Sequence, residues 1–142
     1  MTPYRHRVQY YETDRMGIVH HSNYIRWMEE ARIALLAEIG FPYEALEARG
    51  VVSPVRSVQC RYLRSCTFGD DIEITASVRD FNGVVLTLAY DMRRAGEDET
   101  LCRAESEHVF LNREGRFIRM KRDLPDFCAA LEALASGGEE AK

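Results

Sequence analysis

The chain has 142 residues, of which 46% are hydrophobic and 30% charged, and its formal net charge is −4. Such a length and composition suit one folded domain, expected to span 1–142 with only the last few residues loose, and exclude wholesale disorder. The negative balance excludes a protein that holds nucleic acid mainly through backbone charge. The longest runs free of Asp, Glu, Lys and Arg, Met16–Ile25 and Phe81–Tyr90, are too short to insert into a membrane.

The opening residues lack the apolar stretch of a signal peptide. Cys60, Cys66, Cys102 and Cys128 contain no C-x-x-C pair, so neither a zinc site nor a secreted disulfide framework is expected. Reducing cytoplasm is the expected compartment.

Arg5–Tyr11 reads as a first strand. Asp14-Arg15-Met16-Gly17 then has Asp at the first and Gly at the fourth position of a type I turn. Ser22, chemically a better cap than His21, precedes a helix predicted over Asn23–Ile39. Its apolar residues Tyr24, Trp27, Met28, Ala31, Ala34 and Leu35 recur at helical spacing. Ile33, Leu36 and Ile39 widen that stripe until the second half is nearly apolar all round, which predicts a buried helix. Gly40 stops it, and Pro42 prevents a restart.

After a short Tyr43–Arg49 segment the period changes to two. Val58, Cys60 and Tyr62 alternate with Ser57, Gln59 and Arg61. Ile72, Ile74, Ala76 and Val78 then form one face of a second strand, and Val84, Leu86, Leu88, Tyr90 and Met92 one face of a third. Asn82-Gly83 marks the hairpin between these two. A three-residue loop, Phe81-Asn82-Gly83, with Gly83 left-handed, would set Val78 opposite Leu86 and Ile74 opposite Tyr90. A strand over Leu101–Asn112 follows, with Cys102, Ala104 and Ser106 on its even face. It turns at Glu114-Gly115 into a short Phe117–Met120 strand. A helix from Asp123, with Phe127, Leu131 and Leu134 on one face, should end at Gly137-Gly138. One apolar helix and one sheet with a single apolar face satisfy each other, so the fold class is α+β, a sheet wrapping a long helix.

The chemistry concentrates in Tyr10–Tyr24. Helix starts carry unpaired N–H groups and a partial positive charge that attract developing oxyanions. Asp14 sits just upstream, and Gly17 allows close backbone approach. By residue type alone Asp14 is a turn aspartate, and His20 and His21 are loop or capping residues. The spacings that metal needs are absent. One of the two imidazoles could orient a carbonyl or a water. Ser22 lacks a nucleophile elbow. The cysteines read as small core residues of strands and the last helix, and His108 as a packed core histidine. Arg26 is spaced to pair with Glu30. The basic residues between Arg113 and Arg122 could meet a nucleotide phosphate, although solvated charge explains them as well.

The segment Tyr10–Tyr24, continued by Ile25-Arg26-Trp27-Met28-Glu29-Glu30-Ala31-Arg32, resembles the signature of hotdog-fold acyl-CoA thioesterases, and within them the YbgC-like and 4-hydroxybenzoyl-CoA thioesterase branch. The resemblance implies a hotdog fold, hydrolysis of an acyl-CoA thioester with no cofactor, and a homodimer or homotetramer with active sites between subunits. It implies that Asp14 is the essential aspartate, as nucleophile or general base, with Tyr10 and His21 beside it. Backbone N–H groups from His21 to Asn23 would polarise the thioester carbonyl, and Gly17 and Asn23 would help to hold substrate. His20 replaces a common tyrosine, and Arg15-Met16 replace small residues, changes that bear on the acyl group. Two other classes share the fold: a non-catalytic acyl-CoA-binding module, which has no need of the Asp14/His21 pair, and a 3-hydroxyacyl dehydratase, which needs a second acid/base set that is not in view.

Overall fold

The computed structural model describes residues 2–140. Five strands, β1 (Tyr4–Arg7), β2 (Val55–Tyr62), β3 (Asp71–Phe81), β4 (Leu86–Arg94) and β5 (Thr100–His108), make one antiparallel sheet in the order β1-β3-β4-β5-β2. The long helix α1 (Ser22–Glu38) packs against β1, β2 and β3 and leads into α2 (Tyr43–Ala48). At the other end α3 (Met120–Asp123) abuts α4 (Pro125–Glu140), which packs on β3. The expected α+β layering of sheet against central helix is the observed one.

The period-two pattern sorts β3 and β4 as expected. Ile72, Ile74, Ala76 and Val78 are buried, and so are Leu86, Leu88, Tyr90 and Met92. Their register, however, is two residues away from expectation: Val78 faces Leu88 and Ile74 faces Met92. Asn82 explains the shift, because its Oδ1 accepts the N–H groups of both Val84 (2.9 Å) and Val85 (2.7 Å). That closes a wider loop, with Gly83 left-handed at φ +91°, and leaves Val84 exposed. An irregularity between Val78 and Asp80 absorbs the remaining offset. A slip of two keeps every side chain on its face, so the core survives it.

Other departures have local causes. β1 stops at Arg7 and the chain enters a 3-10 turn at Tyr10–Glu12, because the Glu12 carboxylate accepts the Gln9 N–H at 2.8 Å. α1 begins at Ser22, with His21 at the capping position and no side-chain cap bond from it. The helix is not buried all round. Tyr24, Trp27, Met28, Ala31, Leu35 and Leu36 face the core, while Ile25 and Ile33 stay 45% and 38% exposed, since the sheet covers one side only. β2 is an edge strand paired only to β5, so Val58 and Tyr62 are exposed and Cys60 alone is half-buried.

Cys66 lies in the loop before β3 rather than on a strand, though it is buried as a core residue should be. Phe117 makes a single bridge to Leu111 and no strand follows, because buried Met120 opens α3. Gly137-Gly138 do not end α4, since glycine weakens a helix without barring it. Of the tail expected to be loose, 139–140 belong to α4 and 141–142 lie outside the described residues. No helix among the described residues is long and apolar enough to cross a membrane.

Candidate active site

The loop between β1 and α1 is pinned at both ends. Thr13 and Val19 form an antiparallel bridge, and inside it Asp14 N–H donates to Ile18 O (2.9 Å) and Gly17 N–H to Asp14 O (3.0 Å). This is the expected turn, with Gly17 at φ +79°, a region that side chains disfavour. The carboxylate also accepts the Met16 N–H at Oδ1 (2.8 Å), the local bond of a turn aspartate. Val19 N–H donates to Cys66 O and Thr67 Oγ1 to Gly17 O (2.7 Å), which docks the loop on the segment before β3.

The helix start is partly occupied. Ser22 N–H donates to His20 Nδ1 (3.2 Å), Asn23 N–H to His20 O (3.0 Å) and Tyr24 N–H to His21 O (3.3 Å). Hydrogen bonds among the described residues therefore engage Ser22 and Asn23, two of the donors expected to face substrate, but not the N–H of His21. The Asn23 side chain is spent as well, donating to Glu12 O at 2.9 Å.

His21 lies exposed, stacked on His20 with ring centres 4.2 Å apart and edge-on to Tyr62, whose O–H donates to His21 O at 3.2 Å. Tyr10 is 76% exposed, edge-on to Phe68. Tyr10 and His21 are thus both exposed, and no hydrogen bond joins Asp14 to either of them among the described residues. Tyr11 and Met16 of the loop and Phe68 of the segment docked on it are also exposed. A cavity of about 830 Å³ opens elsewhere, on the sheet near Arg61, Arg79 and Arg103, and no member of the Asp14 loop lines it. Chemistry rather than volume selects the loop.

A second carboxylate, missed from sequence, underlies the first. Glu12 is 4% exposed, and its oxygens accept the Trp27 Nε1–H (2.8 Å) and the Gln9 N–H (2.8 Å) and face His6 Nε2 (2.8 Å). Burial pushes its pKa up, but the hydrogen bonds from Gln9, His6 and Trp27 outweigh burial, and the carboxyl is held below its ordinary range. The other nitrogen of His6 faces Glu30 (3.3 Å), which also accepts the Tyr4 O–H (2.6 Å). Glu30 is therefore engaged by β1 instead of by Arg26. The backbone of Glu12 continues the tie: its O accepts the His20 N–H (2.9 Å) and the Asn23 amide. One residue joins β1, the loop and α1. The sequence signal was a Glu three residues after the residue that caps the 3-10 turn.

Among the described residues no three His, Cys, Asp or Glu side chains are grouped to hold a metal. Of the basic residues past β5, Arg122 pairs with Asp123 and Arg113 donates to Glu47 O.

Known proteins share this architecture. The thioesterase-like superfamily profile matches residues 8–133. YneP of Bacillus subtilis is 33% identical over 126 residues, covering 88% of this chain and 91% of that protein. The acyl-CoA thioester hydrolase YbgC of Escherichia coli is 30% identical over 95 residues, covering 67% of this chain and 69% of its own. The crystal structure of a DHNA-CoA thioesterase from Staphylococcus aureus superposes with a TM-score of 0.92 at 25% identity, over 99% of this chain and 95% of that one.

Proposed function

Because the chain belongs to the thioesterase-like superfamily, we propose that it is an acyl-CoA thioesterase whose working carboxylate is Asp14. The observation that supports this is a carboxylate, Asp14, held in a pinned turn in the loop that leads into α1, the same loop that carries the unengaged N–H of His21. That N–H and the positive end of α1 polarise the thioester carbonyl and receive the charge that forms on its oxygen. Asp14 then attacks the carbonyl carbon to give a mixed anhydride and release CoA thiolate, or takes a proton from the water that attacks. On this reading the His21 imidazole and the Tyr10 hydroxyl, both exposed, orient carboxylate, water or acyl group. Gly17 permits the turn, and Asn23 holds the loop. The reaction needs no cofactor, and four free cysteines suit reducing cytoplasm.

Hydrolytic names among the relatives favour this over a binding module or a dehydratase. The test is release of free thiol from a panel of short-chain, long-chain and aromatic acyl-CoAs. Turnover of at least one is expected. Tight binding without turnover of any would replace the enzyme by the binding module.

The acting unit on this reading is a homodimer or homotetramer. Two features support it: β2 is an eight-residue edge strand with Val55, Val58 and Tyr62 exposed, and α1 carries exposed Ile25 and Ile33. An apolar sheet edge of that length invites pairing with another strand. Val58→Lys is expected to shift the mass measured by light scattering toward the monomer and to lower activity with it. An unchanged mass would move the interface off β2.

A further inference from the structure

One arginine of α1 points into the core. Arg32 is 3% exposed, and its Nη1 is buried with no hydrogen-bond partner. Glu29 approaches Nη2 at 3.8 Å, but its own side chain is 64% exposed, and Tyr43 offers only a ring face 5.5 Å from the guanidinium carbon. A guanidinium keeps its proton, so a full positive charge sits in the interior against one distant, solvent-screened carboxylate.

Two further buried side-chain atoms are orphaned among the described residues, His108 Nδ1 and Ser53 Oγ. All three belong to one region. Along α1, Tyr24 meets the Tyr62 ring (5.0 Å) and Met28 meets Cys60 (3.5 Å), so each helical turn advances two residues down β2 and up β5. Continued by one turn, that progression carries Arg32 toward Ser106 and His108. The charge of Arg32 acts on both Tyr90 and His108. Ser53 stands across from Phe110, between the Val52–Leu111 bridge and the Val109 N–H to Pro54 O bond, and hence diagonal to His108.

The polarity of the site follows from proton bookkeeping. Buried Tyr90 meets Ser106 (2.7 Å), and Ser106 meets His108 Nε2 (2.7 Å); the assignment that leaves neither hydroxyl proton unpaired has Tyr90 O–H donating to Ser106 and Ser106 O–H donating to Nε2. Burial, reinforced by Arg32, drops the His108 imidazole to about 3, so it is neutral and carries a single N–H, which must be on Nδ1. Arg32 Nη1–H, His108 Nδ1–H and the Ser53 O–H are then three donors with no acceptor. A water placed among them could donate only to the Ser53 hydroxyl oxygen, and would leave the Arg32 charge uncompensated.

We propose that Arg32, His108 and Ser53 form an internal binding site for a small monovalent anion of the size of chloride or formate. The anion supplies the missing counter-charge and the acceptor that all three atoms lack. The site lies about two turns or more along α1 from the Asp14 loop and stands independently of the hydrolytic reading.

Bromide is the probe. Crystals of the intact protein grown in sodium bromide should show an anomalous peak in contact with Arg32 Nη1. Melting temperature should rise with bromide or chloride in a saturable way, relative to sodium gluconate of equal ionic strength, because gluconate is too large to enter. Ser53→Ala, which removes one donor without opening the core, should weaken the half-saturating halide concentration by about tenfold. Arg32→Met should abolish the halide dependence. If that variant fails to fold, Ser53→Ala and the anomalous map decide. Identical melting in halide and gluconate with no peak at Arg32 would overturn the proposal in favour of bridging water.

Discussion

Asp14→Asn should leave a protein that melts like the wild type and hydrolyses acyl-CoA about a thousandfold more slowly, the range expected when a positioned base or nucleophile is lost. The substitution is chosen for what it keeps. Asparagine retains an Oδ1 that can accept the Met16 N–H, so the turn through Gly17 should close as before. It loses only the negative charge and the basicity. The Michaelis constant should move little, because the helix start and the exposed apolar side chains of Tyr10, Tyr11, Met16 and Phe68 are untouched. Single-turnover thiol release by both proteins checks this. Release unchanged by the substitution would remove Asp14 from the chemistry, while loss of activity with a lowered melting temperature would mean that the turn had failed instead.

Glu12→Gln is expected to cost about 2–4 kcal/mol of folding stability, the range for breaking a buried charge-assisted network. Three donor groups converge on this carboxylate from Trp27, Gln9 and His6. An amide offers one acceptor and turns its NH₂ toward the remaining donors. The effect has a pH signature. A carboxyl held below its ordinary range contributes stability that is fully present above that range and fades as pH falls through the depressed folded value. The gap between wild type and variant should therefore be widest near neutrality and narrow in acid, as read by denaturant unfolding at several pH values. Equal stability of the two proteins at neutral pH would show that the network is worth nothing net. Activity should fall as well, since the same residue's backbone holds His20 and Asn23 in place.

The contrast between these two carboxylates measures what a sequence can disclose. The turn at Asp14 was legible because Asp and Gly17 stand at the spacing that closes it. Glu12, two residues earlier, was not. Its importance depends on His6 and Trp27 arriving from β1 and α1, and no periodicity encodes that meeting. Faces fared better than registers for the same reason. Alternation alone determines that Ile74 and Leu88 are inside, whereas their pairing depended on the Asn82 side chain catching two N–H groups. Composition announced α1 as apolar but could not say that Ile25 and Ile33 would find no cover within one chain. The histidine cap was missed because Ser22 is the better capping residue by type, while the ring of His20 reached the Ser22 N–H first.

The sheet order also bears on how this molecule comes into being. β3, β4 and β5 are joined by short connections and can zip together locally, but β1 must cross back from the other end of the chain to set Tyr4 against Ile74. Closing that span carries the larger entropic cost, so its contacts reward the chain late. The Asp14 loop hangs between β1 and α1 and is tethered to the residues just before β3. Its geometry thus depends on the costliest closure in the fold, and a chain that has collapsed without seating its first strand would hold a nearly complete core and an unassembled Asp14 turn.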